Sequence, residues 1–278
     1  MARNLGECTE NDEILCKTHS AEGENRQNYL ENLYGFKRKF AVVNGLNTSY
    51  FDVGQGENTL IFLHGWGSDA TAFFYTVSKL CAKYRIIALD FAGFGRSDNP
   101  PSSYTVADYA LDVVTLLDVL GVQKAVFVGH SFGTRVAIEI AVFYPKIVQG
   151  LVIVDGAGIK PRRKPSYYLK VLAHKILKRL GKKGLKGSSD YSALSEEMKK
   201  VFVNVVNYDQ KPILNRIACP CAVFWGKQDE ETPRYMYECF LKNVKGAQGF
   251  LLDGGHFAFV QDKLTFSLIL EAYLQEIL

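Results

Sequence analysis

The chain has 278 residues, of which 47% are hydrophobic and 22% charged, and its formal net charge is +4. This composition is typical of a globular protein with one large domain or two small ones, and the small net charge does not favour a nucleic-acid partner. No apolar stretch approaches the roughly 18 residues that would span a bilayer.

The start of the chain and its cysteines point to a cytoplasmic protein. The sequence MARNLGECTENDEIL contains no apolar core of a signal peptide. The six cysteines form no C-x-x-C pair and no Cys/His cluster with zinc spacing. We therefore expect reduced thiols, a cytoplasmic location and no bound metal.

Residues 1–36 are polar and acidic, with weak helical character near NYLENLY, and we interpret them as an N-terminal extension that is partly disordered. The main domain is predicted to cover residues 37–278. It opens with two strand-like segments, KFAVV and TSYFDV, which the turn signal Asn44-Gly45 separates.

Strands and helices then alternate along the chain. The predicted strands are TLIFLHGW, YRIIALD, KAVFVG, VQGLVIVD, CAVFWG and GFLLDGG. The predicted helices cover 70–82, 105–120, 132–144, 233–242 and 260–277. Apolar strands that alternate with helices predict an α/β fold, in which helices cover both faces of a mostly parallel sheet.

A segment at about 158–212 interrupts this alternation and is predicted to be a helical lid over a site at the carboxyl ends of the strands. Residues 160–187 contain eleven Lys and Arg and no Asp or Glu, which leaves a net charge of −7 on the rest of the chain. Within SYYLKVLAHKILKRL, leucine and isoleucine follow one helical face. We favour a lid helix with solvated charges, and contact with an anionic membrane surface stays open as the alternative.

The stretch VFVGHSFGTRVA carries the strongest chemical signal. A strand enters a helix through G-x-S-x-G, the pattern of a nucleophile elbow, in which a sharp turn exposes Ser131 at the top of the sheet. The flanking Gly129 and Gly133 are expected because a side chain there would collide with the turn. An ordinary glycine-rich turn is the structural alternative, although the strand before and the helix after it favour a catalytic serine.

A nucleophilic serine needs a base and an acid that orients the base. Of the five histidines, His256 follows the last predicted strand and is the expected base. Asp229 follows the preceding strand and is the expected acid, which gives the chain order Ser131, Asp229, His256. Asp155, at the end of VIVD, remains an alternative acid, and Glu230 and Glu231 are adjacent carboxylates that could be plain loop charges.

Stabilisation of a tetrahedral intermediate further requires N–H donors aimed at the developing oxyanion. One donor is expected from the backbone of Phe132, directly after the serine. The second is expected from Trp66 in the loop after LIFLHGWG. An ordinary glycine turn is an equally good interpretation of HGWG taken alone.

Five motifs in order resemble the α/β-hydrolase fold family, in its serine-hydrolase, esterase-like branch: FLHGWGSD, LDFAGFGRSD, VGHSFGTRVAIEIA, WGKQDEETP and GGHFAF. The resemblance covers roughly residues 37–278. It implies an eight-stranded sheet with a lid after the sixth strand, a Ser131–His256–Asp229 triad and Trp66 and Phe132 as oxyanion donors. It also implies two-step acyl transfer without a metal or organic cofactor.

The sequence therefore predicts a serine hydrolase that cleaves a small or medium carboxylic ester. A thioesterase, amidase, C–C bond hydrolase or cofactor-free perhydrolase could use the same triad. A non-catalytic binding protein is disfavoured because all three triad residue types occur in order. The expected partner is a small ester-like molecule, and the sequence does not identify its acyl chain or leaving group.

Overall fold

The computed structural model describes residues 21–160 and 194–278. Its eight-stranded sheet has the order β1-β2-β4-β3-β5-β6-β7-β8. The strands are β1 Arg38–Val43, β2 Leu46–Val53, β3 Thr59–Leu63, β4 Arg85–Leu89, β5 Ala125–His130, β6 Val148–Val154, β7 Cys221–Gly226 and β8 Gln248–Leu252. Only the β1–β2 and β2–β4 pairs are antiparallel. This confirms the predicted mostly parallel, eight-stranded α/β fold.

The helices cover both faces of this sheet. In the described residues they are α1 Ala21–Tyr34, α2 Phe74–Leu80, α3 Val106–Val119, α4 Phe132–Phe143, α5 Glu196–Asn207, α6 Arg234–Asn243, α7 Ala258–Gln261 and α8 Lys263–Ile277, with short 3-10 helices at Ala70–Phe73, Pro145–Ile147 and Lys211–Arg216. None of the helices within the described ranges is long and apolar enough to cross a membrane. The cytoplasmic location stays a prediction.

Alternation within the central strands divides the core into two apolar clusters. Ile61 and Leu63 of β3 belong to one cluster, and Leu60 and Phe62 to the other. Successive side chains of a strand point to opposite faces, so a strand that is apolar at every position fills both clusters. The parallel pairing of β3, β5, β6, β7 and β8 places their carboxyl ends along one edge of the sheet.

The segment predicted as a lid is described at 158–160 and 194–212, and the basic run with its amphipathic pattern lies outside the described residues. The return of the insertion is anchored to α4, the helix that follows Ser131. Arg135 donates from Nη1 to the carbonyl of Tyr208 at 2.6 Å, and Gln210 donates from Nε2 to the carbonyl of Arg135 at 2.8 Å. The position of α5 is thus tied to the elbow.

Helix α1 packs onto the main domain, although its sequence was interpreted as part of a polar extension. Arg26 donates from Nη2 to Asp69 Oδ2 at 2.7 Å, and Gln27 donates to the same oxygen at 3.0 Å. The Tyr34 ring meets Phe74 edge to face, with centroids 5.8 Å apart. Asp69 in turn accepts the N–H of Thr71 at 2.9 Å. Helix α1 therefore supports the loop that follows β3.

We expect Arg26→Gln to lower the free energy of unfolding by roughly 3 kcal/mol, because it leaves the buried Asp69 carboxylate without its cation. Burial tends to raise the pKa of Asp69, but Arg26 and the hydrogen bond from Thr71 outweigh it and lower the pKa. The pair therefore stabilises the folded protein at pH values above ~3.9, the ordinary pKa of an aspartate. This stabilisation is lost as the pH falls through the lowered pKa of the folded state. Urea unfolding at pH 7 and at pH 2.5, which lies below the ordinary pKa, measures both effects.

Glu24→Gln is the matched control on the same helix, because Glu24 contacts Arg96 only at 3.9 Å and its side chain is 70% exposed. It should change the free energy of unfolding by no more than about 0.5 kcal/mol. Equal effects of the two substitutions, or an Arg26→Gln effect that does not shrink in acid, would show that α1 does not depend on the Arg26–Asp69 pair.

Candidate active site

Ser131 lies at a sharp, strained turn between β5 and α4. Its φ of 47° and ψ of −109° are values that L-residues rarely adopt. A Cβ on Gly129 would lie 2.6 Å from the carbonyl oxygen of Gly133, and a Cβ on Gly133 would lie 2.0 Å from that of Leu63. The two glycines are therefore required by close backbone contacts, as the G-x-S-x-G pattern predicted.

The turn is held on both sides by backbone hydrogen bonds. Ser131 donates its N–H to the carbonyl of Val154 in β6 at 3.0 Å. Its own carbonyl accepts from the N–H groups of Thr134 and Ala157, each at 3.1 Å. The backbone on either side of the serine is thus fixed by α4 and by the loop after β6, and the residue is half-buried at the edge of the sheet.

Asp229 and His256 form a buried pair at the same edge. His256 Nδ1 lies 2.9 Å from Asp229 Oδ2. Asp229 Oδ1 accepts the backbone N–H of Glu231 at 2.8 Å and that of Thr232 at 2.9 Å, and the Thr232 hydroxyl donates to Oδ2 at 2.5 Å. The loop after β7 therefore surrounds the carboxylate with donors.

Electrostatics favour an ionised carboxylate at this position. Burial tends to raise the pKa of Asp229, but the hydrogen bonds from His256 and Thr232 outweigh it and hold the pKa below its ordinary value. An ionised Asp229 accepts a hydrogen bond from Nδ1 and so keeps the ring proton there. His256 Nε2 is then the nitrogen that can accept a proton from a neighbouring group.

The loop that carries Trp66 passes directly against the elbow. A Cβ on Gly65 would lie 2.7 Å from His130 Nδ1 and 3.4 Å from Ser131 Cβ. Phe132 is the first residue of α4, where backbone N–H groups have no partner within the helix. The Trp66 and Phe132 rings lie 5.4 Å apart. Both residues predicted as oxyanion donors are therefore neighbours of Ser131, and that role stays a prediction.

An aromatic cluster borders the site beside these two residues. The Trp66 ring also contacts Phe94, at 4.9 Å between centroids, and Phe202 of α5, at 5.2 Å. Sequence reasoning named neither Phe94 nor Phe202, because only the folded chain brings the loop after β4 and the lid insertion beside Trp66. These rings form an apolar cluster beside the elbow.

The other described histidines have structural contacts. His64 Nε2 accepts the N–H of Phe91 at 2.9 Å, and His130 Nε2 lies 2.7 Å from the carbonyl oxygen of His256. Burial lowers the pKa of His130 well below its ordinary value, which keeps this ring neutral. His19 and His174 lie outside the described residues.

Asp155, the alternative acid, lies behind Asp229 rather than against the histidine ring. It is fully buried, has a φ of 44°, and its Oδ1 accepts the N–H of Gly226 at 2.6 Å. Burial raises the pKa of Asp155 well above its ordinary value, and the charge of Asp229 raises it further. A neutral Asp155 adds no second charge beside the ionised Asp229, so the two carboxyl groups have different roles.

We expect Asp155→Asn to alter how stability depends on pH. A raised pKa means that folded Asp155 retains its proton where the unfolded chain, with a pKa near ~3.9, has lost it. The stability that this group contributes is present below ~3.9 and is lost as the pH rises through the folded pKa. Asparagine carries no such titration, so the variant should gain stability relative to the wild type between pH 4 and pH 8.

Thermal unfolding of both proteins across that pH range measures this effect. Asn can still accept from Gly226 and, like the protonated carboxyl, it carries no charge. A difference in Tm between the two proteins that is constant from pH 4 to pH 8 would contradict a neutral Asp155.

Comparisons with known proteins identify the fold family of the chain. A family model described as the alpha/beta hydrolase fold matches residues 58–183. A Paraburkholderia phymatum protein, 2-hydroxy-6-oxononadienedioate/2-hydroxy-6-oxononatrienedioate hydrolase, is 30% identical over 220 residues, which cover 68% of this chain and 76% of that protein. The chain belongs to the α/β-hydrolase fold family.

Other matches cover different parts of the chain. Uncharacterized proteins of Mycobacterium tuberculosis and Mycobacterium bovis are 34% identical over 121 residues, which are 44% of this chain and 35% of their length. The chain thus spans about a third of these relatives. A solved membrane phospholipase A, described as a bacterial virulence factor, superposes with a TM-score of 0.74 at 21% identity, covering 91% of this chain and 90% of that one. That likeness shows the shared fold.

Proposed function

We propose that this protein is a serine hydrolase that cleaves small or medium carboxylic esters through Ser131, His256 and Asp229. The observation that carries the proposal is the 2.9 Å contact between His256 Nδ1 and Asp229 Oδ2 at the sheet edge that also carries the strained, half-buried Ser131. A serine hydroxyl becomes a competent nucleophile when an oriented imidazole can remove its proton. The buried pair supplies such an imidazole.

The proposed reaction has two steps. Ser131 Oγ attacks the ester carbonyl carbon while His256 Nε2 takes the hydroxyl proton, and the tetrahedral intermediate collapses when Nε2 returns that proton to the leaving alcohol oxygen. Water then attacks the acyl-enzyme, again losing a proton to Nε2, and the acid and free Ser131 are released. Asp229 stabilises the imidazolium in both steps without itself taking the proton.

Backbone donors would stabilise the oxyanion in both tetrahedral intermediates. We assign this role to the N–H groups of Trp66 and Phe132, because both residues border Ser131 and because Phe132 begins a helix, whose amino end favours negative charge. No group in this scheme requires a metal or an organic cofactor. The proposed substrate is a small molecule whose acyl group lies against the aromatic cluster.

Hydrolysis of a carbon–carbon bond is the second candidate. It is favoured by the relative at 30% identity, whose name specifies a 6-oxo dicarboxylate. Hydrolytic cleavage beside a ketone breaks a carbon–carbon bond and can use the same nucleophile or an activated water. The ester proposal has priority because it needs only the three side chains and the two backbone donors already described.

A substrate panel tests the proposal. Purified protein is assayed with p-nitrophenyl acetate, butyrate, octanoate and laurate, with butyryl thioester and anilide counterparts, and with a 2-hydroxy-6-oxo dienoate. We expect the highest kcat/KM for an ester of short to medium chain. Turnover of the dienoate with no turnover of any ester would replace the proposal with the second candidate.

A further inference from the structure

Glu231 brings a second carboxylate to His256, on the side opposite Asp229. Its Oε2 lies 3.6 Å from His256 Nε2, and its side chain is 52% exposed. The backbone of Glu231 is held in position because its N–H donates to Asp229 Oδ1 at 2.8 Å. The sequence suggested that Glu231 could be a plain loop charge, whereas in the structure its carboxylate lies beside the His256 ring.

Two carboxylates of the described residues flank the His256 ring, Asp229 at Nδ1 and Glu231 at Nε2. Asp229 faces Nδ1 and is ionised, whereas Asp155 behind it is neutral and His130, 4.9 Å away between ring centroids, is neutral as well. Near the same edge, Lys227 is paired with Asp253 at 2.5 Å. Glu231 therefore supplies the negative charge next to Nε2 within the described part of the chain.

The leaving group of the substrate lies close to the Glu231 carboxylate, because both are near His256 Nε2. In the proposed reaction Nε2 gives a proton to the leaving oxygen, which places that oxygen within about 3 Å of it. A leaving group thus passes within a few ångströms of the Glu231 carboxylate. A charged substituent near the leaving oxygen would interact electrostatically with that carboxylate, and the partly buried surroundings limit the screening of this interaction.

We propose that Glu231 is a specificity-determining residue that selects esters with a neutral or cationic leaving group and disfavours anionic ones. This inference rests on the proposed ester hydrolysis. It also separates this chain from its Paraburkholderia relative, whose name specifies a doubly anionic substrate.

The test uses three butyrate esters that differ in the charge of the alcohol: choline (cationic), 3,3-dimethylbutanol (neutral and nearly isosteric with choline) and 2-hydroxyethanesulfonate (anionic). The kcat/KM of each is measured for the wild type, Glu231→Gln and Glu230→Gln. Comparing variant with wild type for each ester cancels differences in intrinsic reactivity. Glu230 is the matched control, because it is an exposed neighbour.

For Glu231→Gln we expect the choline ester to lose about 3- to 10-fold and the sulfonate ester to gain by a similar factor, with the neutral ester changed by less than about 2-fold. Both effects should shrink at 0.5 M salt, and Glu230→Gln should change all three esters by less than about 2-fold. Unchanged ratios in Glu231→Gln, or a sulfonate ester that the wild type prefers and that the substitution does not accelerate, would overturn the proposal.

A binding measurement tests the charge preference of Glu231 independently of catalysis. In Ser131→Ala, and in Ser131→Ala combined with Glu231→Gln, dissociation constants of the three esters are measured by NMR titration. The same order of charge preference is expected, with choline ester binding weakened 3- to 10-fold by loss of Glu231. If no ester is turned over by the wild type, the proposed hydrolysis fails. If binding also shows no dependence on Glu231, the selectivity proposal fails independently.

Discussion

Ser131→Ala is expected to reduce kcat for ester hydrolysis by ~10³-fold or more while the protein remains folded. The variant lacks the oxygen that attacks the carbonyl, so the acyl-enzyme cannot form. The fold should tolerate the change, because the strain at φ 47° arises from the backbone and Cβ, which alanine shares with serine. Initial rates with p-nitrophenyl butyrate, together with the thermal unfolding of both proteins, measure the two parts of this expectation.

Residual activity of the Ser131→Ala protein should come from the oxyanion donors and from substrate binding. A folded Ser131→Ala protein with near-wild-type kcat would exclude Ser131 as nucleophile. The elbow would then be a structural turn, the alternative that the motif alone leaves open.

Asp229→Asn is expected to reduce kcat/KM by roughly 10³- to 10⁴-fold. The backbone N–H groups of Glu231 and Thr232 both donate to the position of Oδ1, so the amide oxygen of asparagine should occupy it. The NH₂ group then faces His256 Nδ1 as a donor, which forces the ring proton onto Nε2. In that tautomer the histidine cannot accept the proton of Ser131.

Two substitutions control for the loss of a nearby carboxylate. Glu230→Gln should change kcat/KM by less than about 2-fold, because this exposed side chain lies outside the pair. Asp155→Asn should have an effect of at most about 10-fold, since asparagine keeps the hydrogen-bonding pattern of the neutral acid. If Asp155→Asn were instead the damaging change and Asp229→Asn mild, the acid would be the residue after β6.

The sequence predicted the structure well wherever a short motif determines the local backbone conformation. The pattern around Ser131 predicted the turn, the helix after it and the steric need for glycine at 129 and 133. Each of these follows from the space available at a single bend. The alternation of strands and helices likewise predicted the parallel sheet. Asp229 and His256 could be placed at one edge since the carboxyl ends of parallel strands meet there.

Contacts between segments that are far apart in the chain could not be predicted from local sequence patterns. Helix α1 has a polar sequence, and its attachment depends on a buried partner, Asp69, that is 43 residues away from Arg26. Phe202 reaches the site only because the end of the insertion is tied to α4. The sequence offered only a loop charge at Glu231, and its 3.6 Å distance from His256 Nε2 depends on the folded chain. In each case the deciding quantity is a tertiary distance that no local pattern encodes.

Labelling with a fluorophosphonate, followed by peptide mass spectrometry, tests the central claim most directly, because the reagent phosphonylates only an activated nucleophile. The proposed triad predicts one adduct per chain, on Ser131, formed slowly in Asp229→Asn and absent from folded Ser131→Ala. An adduct on another residue, or equal labelling of the wild type and Ser131→Ala, would contradict Ser131 as the nucleophile of this protein.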